Sequence, residues 1–420
     1  MTGPAINSIA AKTGSNDRDA TRSAIASLLH AAVSLFIFSL LSVRAIAQDT
    51  MTIHRNAVLV DTHNDILSAA MLDGKDISHR LNVGHSDLDR WKEGGLDVQF
   101  FSVWTDKVSR TPQGFFHDAN AEIDSLDGLV AKNPGRMLLA KRFRDVKKGI
   151  RRNKLVALIG VEGGHMIGND LQKLEELYKR GMRYMTLTWN NSTTWASSAM
   201  DETLHPDSLR QKGLTAFGRE VVHRMNALGI MVDLSHTGEQ TFYDAIANSD
   251  KPVILSHSSV WSLCPVFRNV KDDQIRAVAK NGGVICINFY SGFISKAFDE
   301  QASALSLRAK FTTDSLGAIL HDSLKVAAAY RDLLSKQLEP YRPTLAQLVD
   351  HIDYIVKLVG DDYVGIGSDY DGIGSLPLGL DDVTTYPKIT AELLKRGYSI
   401  SSVNKILGGN VLRVMKANLR

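Results

Sequence analysis

Seven polar residues of this chain lie at or just beyond the ends of short apolar, β-branched runs. Imidazole and carboxylate groups bind divalent metal ions and transfer protons, and a guanidinium group binds anions, so these residue types together would suit a hydrolytic metal site. Because they are spread over most of the sequence, they can act together only if the fold gathers the ends of their strands. The seven residues are His63, Asp65, Glu162, His236, His257, Arg268 and Asp369.

The first candidate metal ligands stand at the ends of two of these runs. In Val60–Asp65 the side chains alternate along an extended chain, so His63 and Asp65 are expected to point the same way. Glu162 follows the apolar run Leu155–Val161 and precedes a pair of glycines that let the backbone turn sharply. Standing alone, a His-x-Asp pair or a strand-end glutamate is more often a surface or capping group than a ligand.

Two further candidate ligands come from a repeated pattern, in which an apolar strand ends in Ser-His. The pattern occurs as VDLSH, ending at His236, and as VILSH, ending at His257. Either histidine alone is more often a structural residue, but two in register on consecutive parallel strands would present their imidazoles side by side. We therefore predict that both bind metal.

These ligands divide into two sets that share one glutamate. Nitrogen and oxygen ligands without a thiolate suit zinc, so we expect two Zn²⁺ ions per chain. Such a pair could hold a hydroxide between the metals and polarise a scissile carbonyl, which predicts hydrolysis of an amide. The sets are His63, Asp65 and Glu162 for one ion, and Glu162, His236 and His257 for the other.

The candidate proton carrier is Asp369, at the exit of the last strand. It would accept a proton from the attacking water and pass it to the leaving amine, so we interpret Asp369 and Glu162 as the catalytic residues. Asp371, just before Gly372, is interpreted as a turn residue.

The elements that must position these residues are eight β-branched runs, most of them separated by stretches with helical apolar spacing. This alternation predicts an α/β fold, a (β/α)8 TIM-type barrel, in which polar residues just past the strand ends converge on one rim. The first, third, fifth, sixth and eighth runs end in a ligand or acid/base residue. The runs are Ala57–Asp61, Asp97–Val103, Leu155–Val161, Arg183–Thr188, Gly229–Leu234, Pro252–Ser256, Gly283–Asn288 and Tyr363–Ser368.

One connection is far longer than a usual βα loop. Residues Phe293–Tyr341, between the seventh and eighth predicted strands, have a helical and charged pattern. The segment leaves from the rim with the predicted site, which suggests a lid or a partner surface; a solvated helical excursion without a role is the alternative.

The N-terminal segment differs in kind from the rest. Ala24–Ala47 is apolar, follows two arginines and ends in Ala-Ile-Ala, which predicts a signal peptide over residues 1–47 and a single catalytic domain over residues 48–420. The protein would then be exported, to the periplasm or the medium. An uncleaved N-terminal membrane anchor is the alternative.

Charge and cysteine content exclude several functional classes. The predicted leader holds four of the 49 basic and two of the 46 acidic residues, which leaves 45 against 44. Such a balance gives no electrostatic signature for nucleic acid or an anionic membrane surface. Cys264 and Cys286 are the only cysteines, and two buried free thiols are expected rather than a disulfide framework.

Taken in order, the motifs resemble the membrane (renal) dipeptidase family, the M19 metallopeptidases of the amidohydrolase-like barrels. The resemblance runs from about Val58 to Met415 and is interrupted mainly by the long insertion. Its most specific pieces are DTHNDIL, GVEGGH, VDLSHTG, ILSHSSVWSLCPVFRNV and VGIGSDYDG. It implies the same two zinc sites and the same role for Asp369, and it adds that Arg268 binds the C-terminal carboxylate of a dipeptide.

The sequence departs from the family pattern at one position. Renal-type members have a histidine after Leu-Thr at the fourth strand exit, where it contacts the substrate carbonyl, but here Leu187-Thr188 is followed by Trp189. Either Asn190, Asn191 or a zinc ion takes over that contact, or Trp189 reshapes the pocket for another amide. We therefore count Trp189 and Asn190 as candidate substrate-binding residues.

Three hypotheses follow. The leading one is a zinc-dependent dipeptidase acting on small dipeptides with a free carboxylate. A second keeps the barrel and metals for another small amide or ester, such as an N-acyl amino acid, a lactone or a phosphoester, and a third is a non-catalytic binding protein on the same fold. The sequence leaves open the preferred side chains and whether the chain forms a homodimer.

Overall fold

The computed structural model describes residues 1, 3, 49–321 and 323–419, without the side chains of residues 323, 324, 327 and 328. The predicted signal segment therefore lies outside the described residues. Ile53–Arg420 form one compact unit, and Met1–Thr52 are assigned to a separate one. Among the helices in the described part of the chain, none is long and apolar enough to cross a membrane.

Eight parallel strands close into a barrel, as predicted. They follow the order β2-β1-β9-β8-β7-β6-β5-β4, and pairing of β2 with β4, from Val98↔Val156 to Trp104↔Glu162, completes the ring. Each predicted run overlaps one barrel strand, and six of the eight strands are shorter than predicted. The nine strands are β1 (Val60–Asp61), β2 (Val98–Trp104), β3 (Met137–Leu139), β4 (Leu155–Glu162), β5 (Met182–Thr186), β6 (Met231–Asp233), β7 (Ile254–Leu255), β8 (Val284–Ile287) and β9 (Val364–Ile366).

The sequence did not predict the short strand β3. It pairs with the first residues of β4, from Met137↔Leu155 to Leu139↔Ala157, before β5 takes over that edge of β4 at Ile159↔Met182. β3 has no β-branched residue, so the pattern that identified the other strands does not occur there. It adds to the sheet without entering the ring.

Helices surround the barrel. Two of them, Ala216–Leu228 and Leu345–Val359, begin at side-chain caps. Thr215 accepts from the amide of Gly218, and Thr344 forms a capping box with Gln347. The helices are α1 (Leu88–Gly94), α2 (Phe115–Lys132), α3 (Phe143–Arg151), α4 (Leu171–Arg180), α5 (Ala199–Leu204), α6 (Ala216–Leu228), α7 (Glu239–Asn248), α8 (Asp272–Asn281), α9 (Ser291–Ile294), α10 (Lys296–Leu307), α11 (Ala309–Leu320), α12 (Ser323–Leu338), α13 (Leu345–Val359), α14 (Tyr386–Lys395), α15 (Ile400–Asn404) and α16 (Asn410–Asn418).

The long connection between β8 and β9 is helical, as expected. Its residues form α9 to α12, followed by a 3₁₀ turn over Glu339–Tyr341. The role suggested for it, a lid or a partner surface, stays a prediction.

Packing leaves one end of the barrel available for a site. Alternate strand residues such as Val98 and Phe100 pack inside the ring, whereas Phe101 and Val103 face the helices. Helix α16 covers the amino-terminal end of the strands, where Arg413 donates to the backbone oxygens of the loops that lead into β8 and β9. The carboxyl-terminal end is therefore the open mouth.

Candidate metal centre and substrate cavity

A cavity of about 640 Å³ opens at the carboxyl-terminal mouth of the barrel. Most of the residues predicted from sequence line it, and His63 lies fully buried directly behind Asp65 and Glu162. Side chains from strands distant in sequence thus share one space, as the barrel hypothesis required. The predicted residues lining the cavity are Asp65, Glu162, Trp189, Asn190, His236, His257, Arg268 and Asp369.

Glu162, the last residue of β4, stands at the centre of the ligand cluster. Its Oε2 atom lies 3.3 Å from Nε2 of His63, which is itself 3.4 Å from Oδ2 of Asp65. Its Oε1 atom lies 2.8 Å from Nε2 of His236 and 3.3 Å from Nε2 of His257. The two carboxylate oxygens therefore face two different groups of ligands, and these are the groups predicted from sequence.

The ring of His63 is held by a residue that the sequence analysis missed. Its Nδ1 atom lies 2.8 Å from the hydroxyl of Tyr184, and that hydroxyl donates to the carbonyl of Thr62 at 3.1 Å. The hydroxyl proton is thereby used, so the Tyr184 oxygen accepts from Nδ1–H of His63. This leaves the Nε2 lone pair of His63 facing Asp65 and Glu162.

The other two imidazoles are oriented in the same way. Nδ1 of His236 donates to Oδ1 of Asn190 at 2.9 Å. Nδ1 of His257 lies 2.8 Å from the hydroxyl of Ser256, which donates in turn to the buried carboxylate of Asp233 at 2.6 Å. Both Nε2 atoms then carry lone pairs, and they lie only 3.0 Å apart.

This donor set fits divalent metal ions. Two lone pairs facing each other at 3.0 Å repel unless a cation lies near both, and Nε2 of His63 and Oδ1 of Asp65 are buried without a hydrogen-bond partner among the described residues. Groups of three closely spaced ligand atoms occur at His63, Glu162 and His257, and at His63, Asp65 and Asp369. Neutral imidazoles and carboxylates are what zinc binds, and a thiolate is absent from the described residues around the cluster.

The directions of the pKa shifts of the three histidines agree with a metal-binding role. Burial, with the charge of Arg268, lowers the pKa of His236 to about 3, and burial with the charge of His63 lowers the pKa of His257 well below its ordinary value. Burial also lowers the pKa of His63, but Tyr184, Glu162 and Asp65 outweigh it and raise that pKa well above its ordinary value. The surroundings of His63 thus attract positive charge, while the other two rings stay neutral and able to bind metal.

Asp369 lies at the exit of β9, in the left-handed backbone region at φ +64°. Burial raises its pKa well above the ordinary value, opposed by His63 and reinforced by Asp65 and Glu162. The amide of Asn288 donates to its Oδ2 at 2.8 Å. A side chain at Gly372 would lie 2.6 Å from Asp369 Oδ1, so glycine keeps that oxygen accessible. Asp371 lies in the turn predicted for it.

Arg268 is 5% exposed and keeps donors free. Its Nη2 donates to the carbonyl of His257 at 3.2 Å, and the guanidinium lies 5.4 Å from the ring centroid of Phe293. Nε and Nη1 have no partner among the described residues. Burial lowers the pKa of Arg268 to about 10, so the group remains a cation near neutral pH. A buried cation with unpaired N–H groups at a cavity wall can bind a carboxylate.

The two candidate substrate-binding residues, Trp189 and Asn190, make different contacts in the structure. The ring of Trp189 lines the cavity and meets the ring of Trp104 edge-on, with centroids 5.3 Å apart. Asn190 also lines the cavity, but its Oδ1 atom is already engaged by His236. The structure therefore gives Asn190 an orienting contact in addition to the substrate contact expected from sequence.

Several supporting residues went unrecognised in the sequence. Tyr184, Ser256, Asn288 and two buried carboxylates, Asp61 and Asp233, all hold site residues in place. The two aspartates carried a usable signal, because each ends a strand and stands two or three residues before a ligand histidine. Tyr184 carried none, since a tyrosine within an apolar strand is an ordinary core residue.

Comparison with known proteins agrees with this geometry. Residues 47–419 match the family described as membrane dipeptidase (peptidase family M19). The structure is similar to the probable dipeptidase PvdM from Pseudomonas aeruginosa, with 26% identity, a TM-score of 0.73, and coverage of 89% of this chain and 98% of that one. It is also similar to a metallopeptidase from Rhodobacter sphaeroides, crystallised with a phosphinate mimic of the dipeptide L-Ala-D-Ala, with 23% identity, a TM-score of 0.69, and coverage of 86% and 100%.

A third similar structure is dipeptidase AC, a metallopeptidase of family M19, with 24% identity, a TM-score of 0.68, and coverage of 86% of this chain and 99% of that one. The family match spans nearly all of the described chain. This chain therefore belongs to the M19 membrane dipeptidase family and is an enzyme of the metallo-dipeptidase class.

Proposed function

We propose that this M19 enzyme is a zinc-dependent dipeptidase that cleaves small dipeptides with a free C-terminal carboxylate. The observation that carries the proposal is the position of Glu162, whose one carboxylate oxygen faces His63 and whose other oxygen faces His236 and His257. A carboxylate placed between two ligand groups can bind two cations at once, and Asp65 completes the group around His63.

Zinc ions bound by these residues would supply Lewis acidity and lower the pKa of a water molecule toward neutrality. The protein's own part is to hold the ligands. Tyr184, Asn190 and Ser256 each engage an Nδ1 atom, so that every Nε2 atom faces the centre without rearrangement. The deep position of the cluster in the barrel limits the access of bulk water.

Asp369 is the proposed proton carrier. Asn288 occupies its Oδ2 atom, which leaves Oδ1 to take a proton from the attacking water and return it to the leaving amine. Burial raises its pKa well above that of an ordinary aspartate, which favours the protonated carboxyl in a group that must both accept and donate.

Arg268 is the proposed anchor for the substrate's C-terminal carboxylate. Its unpaired Nε and Nη1 groups offer two donors to one anion, in a cavity of the size that suits a dipeptide. The similar Rhodobacter sphaeroides enzyme was crystallised with a dipeptide mimic, which supports a substrate of that size here.

The second candidate is another small amide or ester, such as an N-acyl amino acid or a lactone. It is favoured by Trp189, which stands where renal-type relatives have a carbonyl-binding histidine. A lactone or ester without a carboxylate would gain nothing from Arg268, so substrates with and without that group separate a dipeptidase from a lactonase or esterase. An N-acyl amino acid keeps the carboxylate and differs from a dipeptide in lacking a free amino group.

The deciding experiment is a panel of L,L and L,D dipeptides and their C-terminal amides, assayed with and without a chelator. We expect hydrolysis of free dipeptides, loss on chelation, recovery with added zinc, and poor hydrolysis of the amides. Hydrolysis of lactones or acyl esters with inert dipeptides would instead favour the second candidate. Activity that survives exhaustive chelation would exclude a metal mechanism.

We also propose that the protein is exported. The apolar segment Ala24–Ala47 and its Ala-Ile-Ala ending support cleavage after Ala47. Mass spectrometry of the protein purified from its native host would give an N-terminus at Gln48, whereas an intact leader in a membrane fraction would favour an anchor.

A further inference from the structure

One wall of the cavity is built from aromatic rings. Trp104, the last residue of β2, and Trp189, three residues beyond β5, both line the cavity and meet edge-on, with ring centroids 5.3 Å apart at an interplanar angle of 67°. Trp189 also lies 6.2 Å from the ring of His236, so this wall begins next to the metal ligands. We refer to Trp104 and Trp189 as the indole wall.

The fold places the Trp104 end of this wall across the mouth from Arg268, whereas Trp189 follows β5, two ring positions from β7. Arg268 lies in the loop that follows β7, and in the ring of eight strands β7 and β2 are four positions apart, which makes them diametrically opposed. Glu162 ends β4, the neighbour of both β2 and β5. A substrate whose carboxylate binds Arg268 and whose scissile carbonyl lies at Glu162 can extend its N-terminal half toward the indole wall, because Trp104 and Trp189 follow the two strands that flank β4.

Trp104 is held in place by its contacts with Arg110 and Glu122, and these two residues also contact each other. Arg110 lines the same part of the cavity and lies 5.7 Å from the ring centroid of Trp104. Its guanidinium is paired with the buried carboxylate of Glu122 and donates to the carbonyl of Trp104 at 2.6 Å, while Glu122 accepts from the Trp104 amide at 3.0 Å. These contacts hold Trp104 in place, and because Nη1 and Nη2 of Arg110 already have protein partners, Arg110 is poorly suited to bind a second substrate carboxylate.

We propose that the indole wall is the subsite for the side chain of the substrate's N-terminal residue, and that it selects large planar side chains over small ones. This inference rests on the proposed dipeptidase function. An aromatic side chain can pack against two indole rings inclined at 67°, whereas an alanine side chain leaves that surface exposed to water. Trp189 is then the principal specificity-determining residue, because its ring lies 6.2 Å from the ring of His236 in the ligand cluster.

The test compares dipeptides that differ only in the N-terminal residue, with Phe, Ala or Glu before a constant C-terminal residue. For the zinc-loaded wild type we expect kcat/KM for the Phe substrate to exceed that for the Ala substrate by about 10- to 100-fold. Trp189→Ala should reduce this ratio to below about threefold, and Trp189→Phe, which keeps a planar ring, should retain most of it. Metal content and thermal melting of each variant show whether the fold and the metal sites are intact.

The outcomes separate this inference from the function on which it rests. A wild type that hydrolyses all three substrates at similar kcat/KM, or prefers the Glu substrate, overturns the subsite and leaves the dipeptidase intact. An unchanged Phe-to-Ala ratio in Trp189→Ala with full metal content also overturns it. A zinc-loaded wild type that hydrolyses no dipeptide overturns both.

Discussion

The candidate metal-ligand cluster and the proposed substrate walls of the same cavity are built on different principles. In the cluster, each imidazole has a protein partner on its second nitrogen, and two of these partners are anchored in turn, Tyr184 on a carbonyl and Ser256 on the Asp233 carboxylate. At the walls, two nitrogens of Arg268 have no partner in the described part of the chain, and Trp189 is held by ring contacts.

This difference teaches how one fold can combine fixed chemistry with adjustable selectivity. Ligands fixed by buried hydrogen bonds cannot be exchanged without leaving other polar groups unsatisfied, which costs free energy. A wall made of aromatic contacts and free donors can change residue by residue. Trp189, which stands where the family resemblance leads us to expect a histidine, belongs to this changeable wall and not to the ligand cluster.

The largest effect is expected from breaking the cluster at its centre. Glu162→Gln removes the charge that faces all three histidines, so we expect kcat to fall by at least about a thousandfold and zinc content to drop. Activity assays and metal analysis of the same preparation measure both. Full turnover in Glu162→Gln would end the assignment of Glu162 as the shared ligand.

Asp369→Asn should separate proton transfer from metal binding. The amide cannot carry the proton, so we expect a loss of about 10²- to 10⁴-fold in kcat with zinc content unchanged. If zinc is lost as well, Asp369 belongs to the ligand cluster rather than to the proton pathway.

Arg268→Met tests the cavity wall, where Arg268 is the proposed anchor for the substrate carboxylate. Loss of the guanidinium should raise KM for dipeptides by about 100-fold and leave kcat/KM for dipeptide amides nearly unchanged, because only free carboxylates use its donors. Steady-state kinetics on matched acid and amide substrates measure this. An equal loss on both substrates would show that Arg268 acts on the fold or the cluster instead.

Tyr184→Phe probes the support of the cluster. It removes the hydroxyl that holds Nδ1 of His63, and we expect zinc affinity to fall by about 10- to 100-fold. Competition with a chelator of known affinity measures the change. Phe100 packs against Tyr184 in the barrel interior, with ring centroids 5.2 Å apart, and Phe100→Leu is a control that changes packing without removing a hydroxyl.

The smallest effect is expected far from the mouth, at Asp97, which precedes β2 and accepts from the amide of Leu59. Burial raises its pKa to about 6, so in the folded protein this carboxyl still binds a proton at pH values where the unfolded chain has lost it. Stability linked to Asp97 is complete below pH 4 and declines as pH rises through about 6.

Asp97→Asn keeps an acceptor for Leu59 and removes the titration. The variant should match the wild type at pH 4 and exceed it at pH 7 by up to about 3 kcal/mol in the free energy of unfolding. Urea denaturation at both pH values checks this, and a difference that does not change with pH would contradict the assigned pKa.

The sequence predicted the barrel and the cluster of candidate ligands because both leave local signals. β-branched runs marked the strands, and strand-end histidines and acids such as His63 and His257 followed them. Supporting residues were missed because their contacts are long-range: Tyr184 meets His63, and Asn288 meets Asp369, only after the ring has closed. The contact between Arg110 and Glu122 likewise depends on how α2 packs against the end of β2.

The most direct test of the central claim is the zinc content of the purified, zinc-loaded chain, measured by elemental analysis after removal of free metal. Glu162 with one oxygen toward each ligand group predicts about two zinc ions per chain in the wild type. A wild type that binds one ion or none, with its fold intact, would contradict the shared-carboxylate centre.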